Sequence, residues 1–519
     1  MKVAFTSFFL FACLVVFSQH TNVMISNSQA PEEPSIMIST KNPKYIVAAA
    51  NIRSVYYSSD TGRTWTIQTL SSPLGIWGDP AIICDTNGHF YFFHLSGQPS
   101  GPFLDQIVAQ KSTDQGATWS AGASIGYNAV KQNDKQWAVV DSRNNTIYTT
   151  WTLFDKYEST NPLDSSHILF SKSTDGGINW SPALRIDQQG GDCKDSDSTV
   201  EGAVPAVGPN GQVYVAWAGP KGLVFNKSLD GGSTWSNEKV ISDFPAGWNF
   251  DIPGIYRANG LPVTVCDLSA GSRRGTIYVN WTDQRNGLND TDVWLIKSTD
   301  GGNTWSAPIR VNNDPAGKQQ FFTWMTIDQS NGYLYFVFYD RRHYPDTRTD
   351  VYMARSIDGG STFQNFKVSE APFAPTSNIF FGDYTNVSVQ KGIIRPIWTR
   401  LDNGQLSVWT ALVDTTAILN IPTGVVNPDV IAEKISTYPN PFTNNSFISF
   451  KIRRPGIVSV EVYDITGKII AKPINQKYYP AGKYIEKIDT RLLHIAAGTY
   501  VYRITINKEL YVQKVIRLE

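Results

Sequence analysis

One octapeptide recurs six times along this 519-residue chain and limits the folds open to it. Each copy reads Ser-x-Asp-x-Gly-x-Thr/Asn-Trp/Phe, and segments of alternating apolar and polar residues flank it. The repeated aspartates are Asp60, Asp114, Asp175, Asp230, Asp300 and Asp358. Gly allows a positive φ, Asp and Ser accept hydrogen bonds from turn N–H groups, and the aromatic ring packs against a sheet. The repeat therefore predicts one tight hairpin turn in each of several similar β-sheets.

The octapeptides match the Asp box, and the chain resembles the sialidase-like family of β-propellers with BNR repeats. The resemblance implies that each box closes the turn between the third and fourth strands of a blade, on the face opposite the active site. The six repeated aspartates are therefore interpreted as structural. Candidate first strands lie at 34–39, 81–85, 138–141, 204–207, 263–267, 325–328 and 385–389. Seven blades are favoured by this count, with six as the alternative.

The seventh unit has no octapeptide and stops after Val413. Residues 21–27 are predicted to pair with 406–413 as its missing outer strand, because closure by both chain ends removes an exposed sheet edge. The propeller is thus expected to span residues 19–413.

The N-terminal segment has the features of a secretory leader. Lys2 precedes an apolar run from Val3 to Phe17, which predicts a signal peptide over residues 1–18. No later run reaches 18 apolar residues, so no transmembrane segment is expected after leader removal. The 45 basic and 45 acidic residues give no net charge, which argues against a nucleic-acid partner.

The cysteines and other reactive residues form no recognisable motif in the sequence. Cys84, Cys193 and Cys266 are too widely spaced for a disulfide framework or a CxxC metal site, so no metal or other cofactor is expected. Cys84 and Cys266 occupy equivalent strand positions and are predicted to be small buried residues, whereas the role of Cys193 stays open. No Ser-His-Asp set stands out along the chain.

The C-terminal segment has a different pattern. Tyr438-Pro-Asn-Pro-Phe442, two glycine turns at Gly467 and Gly482, and the terminal Lys514-Val-Ile accompany strands that alternate apolar and polar residues. This predicts a small Ig-like β-sandwich over residues 436–519, after a linker at 414–435. The segment resembles the C-terminal sorting domain of type IX secretion, known from Bacteroidota. That resemblance implies export by the type IX machinery, with release and surface attachment both open.

Functional residues of a propeller are expected in the loops around one end of the central channel. Several acids precede first strands there, and two second strands end in Asp-x-Arg. The catalytic candidates are Asp79, Glu201, Asp383 and Tyr384. The substrate-binding candidates are Arg285, Arg342, Arg400, Trp77 and Trp248. Alternatively, Arg285 pairs with Asp292, and Arg342 with Asp350, across their own hairpins.

The sequence favours a secreted or surface-attached propeller that acts on glycans, with glycoside hydrolysis as one hypothesis for its activity. The alternative is a non-catalytic propeller that binds a glycan or a protein, and a structural role is a third option. Whether the chain is an enzyme, which glycan it meets and its oligomeric state are all left open. Sialidases place an arginine on the first strand to bind the substrate carboxylate, but Glu32 and Glu33 stand there. True sialidase activity is therefore not expected.

Overall fold

The computed structural model describes residues 20–97, 103–415, 418, 432–452, 455–464, 467–493, 495–506 and 509–518. The chain forms two compact units, one ending at Pro422 and the other beginning at Thr423. The predicted signal peptide at 1–18 and most of the predicted linker at 414–435 lie outside the described residues.

The first unit is built from antiparallel sheets that follow one another along the chain. Blade 1 is Ser35–Ile38, Ile46–Ala50, Ser54–Ser58 and Thr66–Thr69, and blade 2 is Gly78–Cys84, Phe90–Gly97, Phe103–Ser112 and Ala123–Ile125. Blade 3 is Gln132–Asp141, Thr146–Phe154, Ser166–Ser173 and Leu184–Arg185, and blade 4 is Glu201–Val207, Val213–Gly219, Gly222–Ser228 and Lys239–Ser242. Blade 5 is Val263–Cys266, Ile277–Asp283, Asp292–Ser298 and Ile309–Arg310, and blade 6 is Gln320–Asp328, Tyr333–Asp340, Asp350–Ser356 and Gln364–Lys367. A short hairpin, Asn249–Phe250 with Ala258–Asn259, precedes blade 5.

Blade 7 closes the ring with both ends of the unit. Its strands are Asn386–Gln390, Ile393–Asp402, Gln405–Ala411 and the N-terminal Asn22–Ser26. Asn22 pairs with Ala411 and Ser26 with Val408, which confirms the predicted closure. A further short strand, Val413–Asp414, pairs with the beginning of Ile393–Asp402. The architecture is a seven-bladed all-β propeller.

Each octapeptide forms the turn between the third and fourth strands of its blade, as predicted. In blade 4, Asp230 Oδ1 accepts hydrogen bonds from the N–H groups of Ser233 at 3.0 Å and Thr234 at 2.9 Å. The turn also contacts its neighbours, because Lys227 Nζ donates to the Gly301 carbonyl of the next octapeptide at 2.7 Å. The repeats thus stabilise single blades and the contacts between blades.

The first strands surround a central channel with a volume of about 480 Å³. Its walls are mainly aliphatic and include Cys84 and Cys266, both buried as predicted. Trp137, Trp324 and Tyr384 pack together at one end, with the two indole centroids 4.4 Å apart. This aromatic layer separates the apolar channel from the polar face above it.

The second unit is a small β-sandwich. One sheet contains Ala432–Tyr438, Asn445–Ile452 and Gly482–Asp489, and the other contains Gly456–Asp464, Ile469–Tyr479, Gly498–Ile506 and Glu509–Arg517. Side chains from both sheets, such as Phe450 and Val460, meet in one buried core. Within the described ranges, no helix is long and apolar enough to cross a membrane.

Candidate active site at the start of the first strands

Charged side chains converge at the end of the channel where the first strands begin. This acidic cluster comprises Glu32, Glu33, Asp79, Asp134, Lys135, Asp195, Glu201, Arg257 and Asp383. Seven acids therefore accompany two bases. The structure brings together three predicted catalytic candidates, Asp79, Glu201 and Asp383, from blade 2, blade 4 and the segment before blade 7.

The backbone takes an unusual conformation at or near the beginning of several first strands. Glu33, Asp79, Lys135 and Phe322 have φ values of 52, 53, 50 and 50°, in the left-handed region that non-glycine residues seldom adopt. In blades 2, 3 and 6 the register also shifts at this point, as in a β-bulge. A bulge re-aims the side chain that it carries. Here side chains from three blades meet near the channel axis.

Lys135 lies at the centre of the cluster. Its Nζ is 2.9 Å from Asp383 Oδ2, 3.2 Å from Asp79 Oδ2 and 3.7 Å from Glu33 Oε1. The side chain is only 5% exposed, so these ion pairs lie largely out of water. An ammonium group in such a place is tolerated because several carboxylates surround it. Lys135 therefore holds blades 1, 2 and 7 together electrostatically.

Arg257 is the second cation and the more accessible one, with 38% of its side chain exposed. Its guanidinium makes a two-point contact with Asp383, including Nε to Oδ1 at 2.9 Å, and its Nη1 donates to Asp195 Oδ2 at 2.9 Å. Tyr157 donates its hydroxyl to the same Asp195 oxygen at 2.9 Å. Asn259 Nδ2 fixes the Asp383 carbonyl at 3.0 Å. These contacts therefore hold the Arg257 guanidinium in one orientation at the rim of the cluster.

The two neighbouring glutamates are bound by one amide. Asn51 Nδ2 donates to Glu33 Oε2 at 2.6 Å and to Glu32 Oε2 at 3.2 Å. Asn51 Oδ1 accepts the Asp79 N–H at 2.7 Å. Glu33 is buried, whereas Glu32 is half-buried and reaches solvent. This amide therefore ties a solvent-accessible glutamate to the loop that carries Asp79.

The cluster contains both protonated and ionised acids at neutral pH. Burial, reinforced by Asp79, raises the pKa of Glu32 to about 8, and burial raises the pKa of Asp134 to about 7. Burial also raises the pKa of Glu33 and Glu201 well above the usual range. For Asp383, burial opposes ionisation, but Lys135 and Arg257 outweigh it and hold the pKa below its usual range. Acids with opposite shifts in one site are typical of acid–base catalysis.

These shifts predict that the free energy of unfolding falls between pH 5 and pH 8. The folded pKa values of Glu32 and Asp134 lie above the ordinary values of 4.5 and 3.8, so the folded state binds more protons in this window. The stabilisation that comes from these bound protons is fully present below the ordinary pKa. It is lost as pH rises through the pKa of the folded state. Each of the two groups changes the free energy of unfolding by at most about 1.4 kcal/mol per pH unit.

Urea unfolding at pH 5, 6.5 and 8 measures this dependence. The variant Glu32→Gln should show a flatter curve, because the amide does not titrate. Stability that rises from pH 5 to pH 8 in the unsubstituted protein would contradict the assignment.

Tyr384 lies beneath the cluster rather than at its surface. Its ring centroid is 5.0 Å from that of Trp137, and it lines a cavity of about 20 Å³ together with Lys135 and Asp383. Burial raises its pKa well above the usual range. The phenol therefore stays protonated, and its position favours a supporting role over direct attack on a substrate.

The three arginine candidates are held by their own strands. Arg285 Nη2 is 2.6 Å from Asp283, and Arg342 Nη2 is 2.6 Å from Asp340. Arg400 contacts Asp402 in the same way. In each case the acid lies two residues away, so one short segment forms the ion pair.

The alternative pairing across the hairpins is wrong, because other cations engage the acids expected to be the partners. Asp292 contacts Arg310 at 3.3 Å, and Asp350 contacts Lys367 at 2.9 Å. The guanidinium groups of Arg285 and Arg342 contact Asp283 and Asp340 instead, and each also reaches the segment that follows the preceding blade, at Asp243 and Asn313.

Exposed aromatic rings flank the cluster. Trp77 is 47% exposed and packs edge-on against Phe103, with centroids 4.7 Å apart. Tyr256 is 59% exposed beside Phe380, whose ring lies 5.0 Å from the Arg257 guanidinium carbon. Sugar rings stack readily on such surfaces. The predicted Trp248, by contrast, is buried at 3% exposure and offers no surface for stacking.

Sequence reasoning missed Lys135, Asp195 and Arg257. Lys135 could have been found, because it precedes Trp137 in the same register in which Glu33 precedes Ser35 and Asp79 precedes Ala81. Arg257 and Asp195 come from long connections without a repeat pattern. Only the folded structure brings these two residues to the cluster.

Known proteins and protein families are similar to different parts of the chain. Residues 436–518 match the family of secretion system C-terminal sorting domains. A xyloglucanase from Paenibacillus sp is 27% identical over 229 residues, which is 43% of this chain and 20% of that protein. The chain thus spans about a fifth of the length of this relative.

Solved structures with similarity include a Hadza microbial sialidase, 13% identical with a TM-score of 0.42, covering 72% of this chain and 74% of that one. A polysaccharide lyase of the ulvan lyase type is 11% identical with a TM-score of 0.45, covering 77% and 95%.

The blade topology shows the fold of the first unit, and the matched tail shows the family of the second. The sorting domain directs secretion through the type IX system to the cell surface or the extracellular space. This protein is a seven-bladed β-propeller whose chain ends in a secretion system C-terminal sorting domain at residues 436–518.

Proposed function

We propose that the propeller hydrolyses glycosidic bonds in a neutral polysaccharide at the acidic cluster. The observation that carries this proposal is the pairing of a protonated, solvent-reaching Glu32 with Asp79, whose carboxylate is bound by Lys135 at 3.2 Å. Glycoside hydrolysis requires one carboxylic acid to protonate the leaving oxygen and one carboxylate to attack or to activate water. Glu32 and Asp79 supply these two forms on neighbouring blades.

The roles follow from the surroundings of each group. Glu32 keeps its proton up to about pH 8 and reaches solvent, so it acts as the general acid. Asp79 is 12% exposed and is held by an ammonium group, so it acts as the carboxylate. Asp383 and Lys135 lie deeper and position Asp79. Glu201 is fully buried and keeps its proton beside Asp195, so it adds no negative charge to the cluster.

The excess of acids indicates a substrate without negative charge. A sialoside or a uronate would meet two cations already engaged by Asp383, and the acids of the cluster that stay ionised would repel its carboxylate. The similarity to a xyloglucanase supports a neutral polysaccharide. Trp77 on one side and Tyr256 on the other provide stacking surfaces for a chain of several sugars.

A screen of the mature full-length protein tests the proposal. Neutral β-glucans, xyloglucan and xylan are incubated beside polygalacturonate and an aryl sialoside, and released reducing ends are measured. We expect products only from neutral substrates and no release of sialic acid. Cleavage of the sialoside at rates typical of sialidases would overturn the assignment.

The exposed aromatic pairs favour a second candidate, in which the propeller binds a glycan without cleaving it. Binding without product would be detected by calorimetry with the same polysaccharides. The variants Trp77→Ala and Tyr256→Ala should then weaken binding, whereas hydrolysis should be absent at every pH. This result would favour the binding function over the hydrolase.

The sorting domain predicts the fate of a truncated chain. Deleting residues 436–519 removes a unit with its own core, so the propeller is expected to fold and to stay in the periplasm. Cell fractionation and immunoblotting measure its location, with the full-length chain as the control. Normal arrival of the truncated chain at the surface or in the medium would contradict this role.

A further inference from the structure

A serine, a histidine and an aspartate form a hydrogen-bonded row on blade 3, outside the acidic cluster. Ser165 Oγ lies 2.9 Å from His167 Nε2, and His167 Nδ1 lies 3.1 Å from Asp187 Oδ2. Asp187 is buried and also accepts the Ile168 N–H at 2.8 Å, which fixes its carboxylate. The order is that of a nucleophile, a general base and the acid that orients the base.

The Ser165 hydroxyl has a second neighbour on its other side. Asp155 Oδ2 accepts hydrogen bonds from the Ser165 hydroxyl at 2.9 Å and from the Ser165 N–H at 3.0 Å. Lys131 Nζ contacts the other Asp155 oxygen at 2.5 Å. Burial opposes ionisation of Asp155, but its contact with Lys131 and its hydrogen bonds with Ser165 outweigh it, and its pKa is lowered. Asp155 is therefore too weak a base to take the serine proton, whereas the imidazole of His167 is suited to do so.

The row is accessible and lies on the same face as the acidic cluster. Ser165 and His167 are half-buried, at the end of the loop that joins the second and third strands of blade 3. Tyr157 of that loop donates to Asp195 of the cluster at 2.9 Å. Lys131, which contacts Asp155, stands four residues before Lys135 in the segment that enters the first strand of blade 3. A polymer bound at the cluster would therefore pass close to Ser165.

We propose that Ser165, His167 and Asp187 form a second catalytic site, which hydrolyses carboxylic esters on the hydroxyl groups of a glycan. Ser165 Oγ attacks the ester carbonyl while its proton passes to His167 Nε2. The bond to the sugar oxygen breaks, and His167 returns the proton to that oxygen. Water then attacks the acyl carbon while His167 takes its proton, the bond between the acyl carbon and Ser165 Oγ breaks, and His167 returns the proton to Oγ as the carboxylic acid leaves.

The proposed ester hydrolysis does not depend on the proposed glycosidase activity. Only the assignment of a glycan as the alcohol part of the ester rests on the proposed function. Three probes separate these parts. A fluorophosphonate reacts with an activated serine, and p-nitrophenyl acetate reports ester hydrolysis without any sugar. O-acetylated xylan reports the release of acetate from a glycan.

The mature full-length protein is treated with the fluorophosphonate, and the labelled peptide is identified by mass spectrometry. We expect the label on Ser165 and hydrolysis of the aryl acetate. Ser165→Ala and His167→Gln should each reduce that rate by at least about 100-fold. Ser159→Ala is the matched control, because Ser159 lies in the same loop and bonds to Asp164 rather than to a histidine. Its rate should be unchanged.

Thermal unfolding of each variant shows whether the fold is retained, and labelling of the unsubstituted protein needs no variant. Absence of a label on Ser165 together with equal aryl acetate rates for Ser165→Ala and Ser159→Ala would overturn the proposal. A labelled Ser165 without acetate release from xylan would overturn the glycan assignment. Acetate release in a protein that cleaves no glycosidic bond would support the esterase and count against the glycosidase.

Discussion

Glu32→Gln and Asp79→Asn should each lower kcat for hydrolysis of the neutral polysaccharide by about 100- to 10,000-fold. Glu32 has a pKa of about 8 and therefore carries the proton that the leaving oxygen needs, and an amide cannot supply it. Asp79 is the carboxylate next to Lys135, and an amide neither attacks an anomeric carbon nor takes a proton from water. Initial rates at saturating substrate measure both losses.

The pH profile separates the two roles. In the unsubstituted protein the rate should fall above about pH 8, where Glu32 loses its proton. Asp346→Asn is the control, since Asp346 is an exposed acid that pairs with Arg348 at 2.9 Å on another loop, and its rate should not change. Full activity of Glu32→Gln across the profile would show that the acid is another residue.

Lys135→Met is expected to lower the free energy of unfolding by about 3–5 kcal/mol. The substitution keeps an unbranched side chain but removes the cation that Asp79 and Asp383 both contact. Two carboxylates then face each other in a buried site, with only Arg257 left near Asp383. Loss of one partner from a buried ion pair is costly because the other charge stays without compensation. Urea unfolding monitored by tryptophan fluorescence measures the change.

Lys131→Met is the matched control for Lys135→Met. Lys131 stands four residues earlier, is 34% exposed and contacts only the partly exposed Asp155 among the ion pairs of the described residues. A surface pair of this kind contributes about 0–1 kcal/mol. Adding Asp383→Asn to Lys135→Met should restore part of the loss by removing one of the opposed charges. Equal effects of Lys131→Met and Lys135→Met would show that Lys135 does not hold the cluster together.

The sequence predicted where the cluster lies but not how its charges are arranged. Asp79, Glu201 and Asp383 were found because each precedes a first strand, and the order of strands in a blade places those positions around one channel end. The ionisation state of Glu32 was not predictable, since it depends on burial and on Asp79, which is 47 residues away in the chain. The contact between Lys135 and Asp383 spans 248 residues.

The arginines illustrate a different limit. Arg285 lies two residues after the strand Ile277–Asp283, and Asp292 begins the next strand of the same hairpin, so a pair across it was a reasonable expectation. Asp283 takes the contact instead, because it is two residues from Arg285 and already accepts the Arg285 N–H at 3.2 Å. The choice depends on side-chain direction at the strand end. That direction is settled by packing of the guanidinium against Trp294, 4.9 Å away.

The sequence by itself favoured seven blades over six and predicted their strand order and the closure of the ring by residues 21–27. Local rules suffice for these features, because turn chemistry and the alternation of apolar residues act over a few positions and recur in every blade. Only the tertiary structure decided which groups meet. Lys135 among its carboxylates and Ser165 beside His167 and Asp187 depend on distances, burial and shared protons, which exist only once separate segments have packed together.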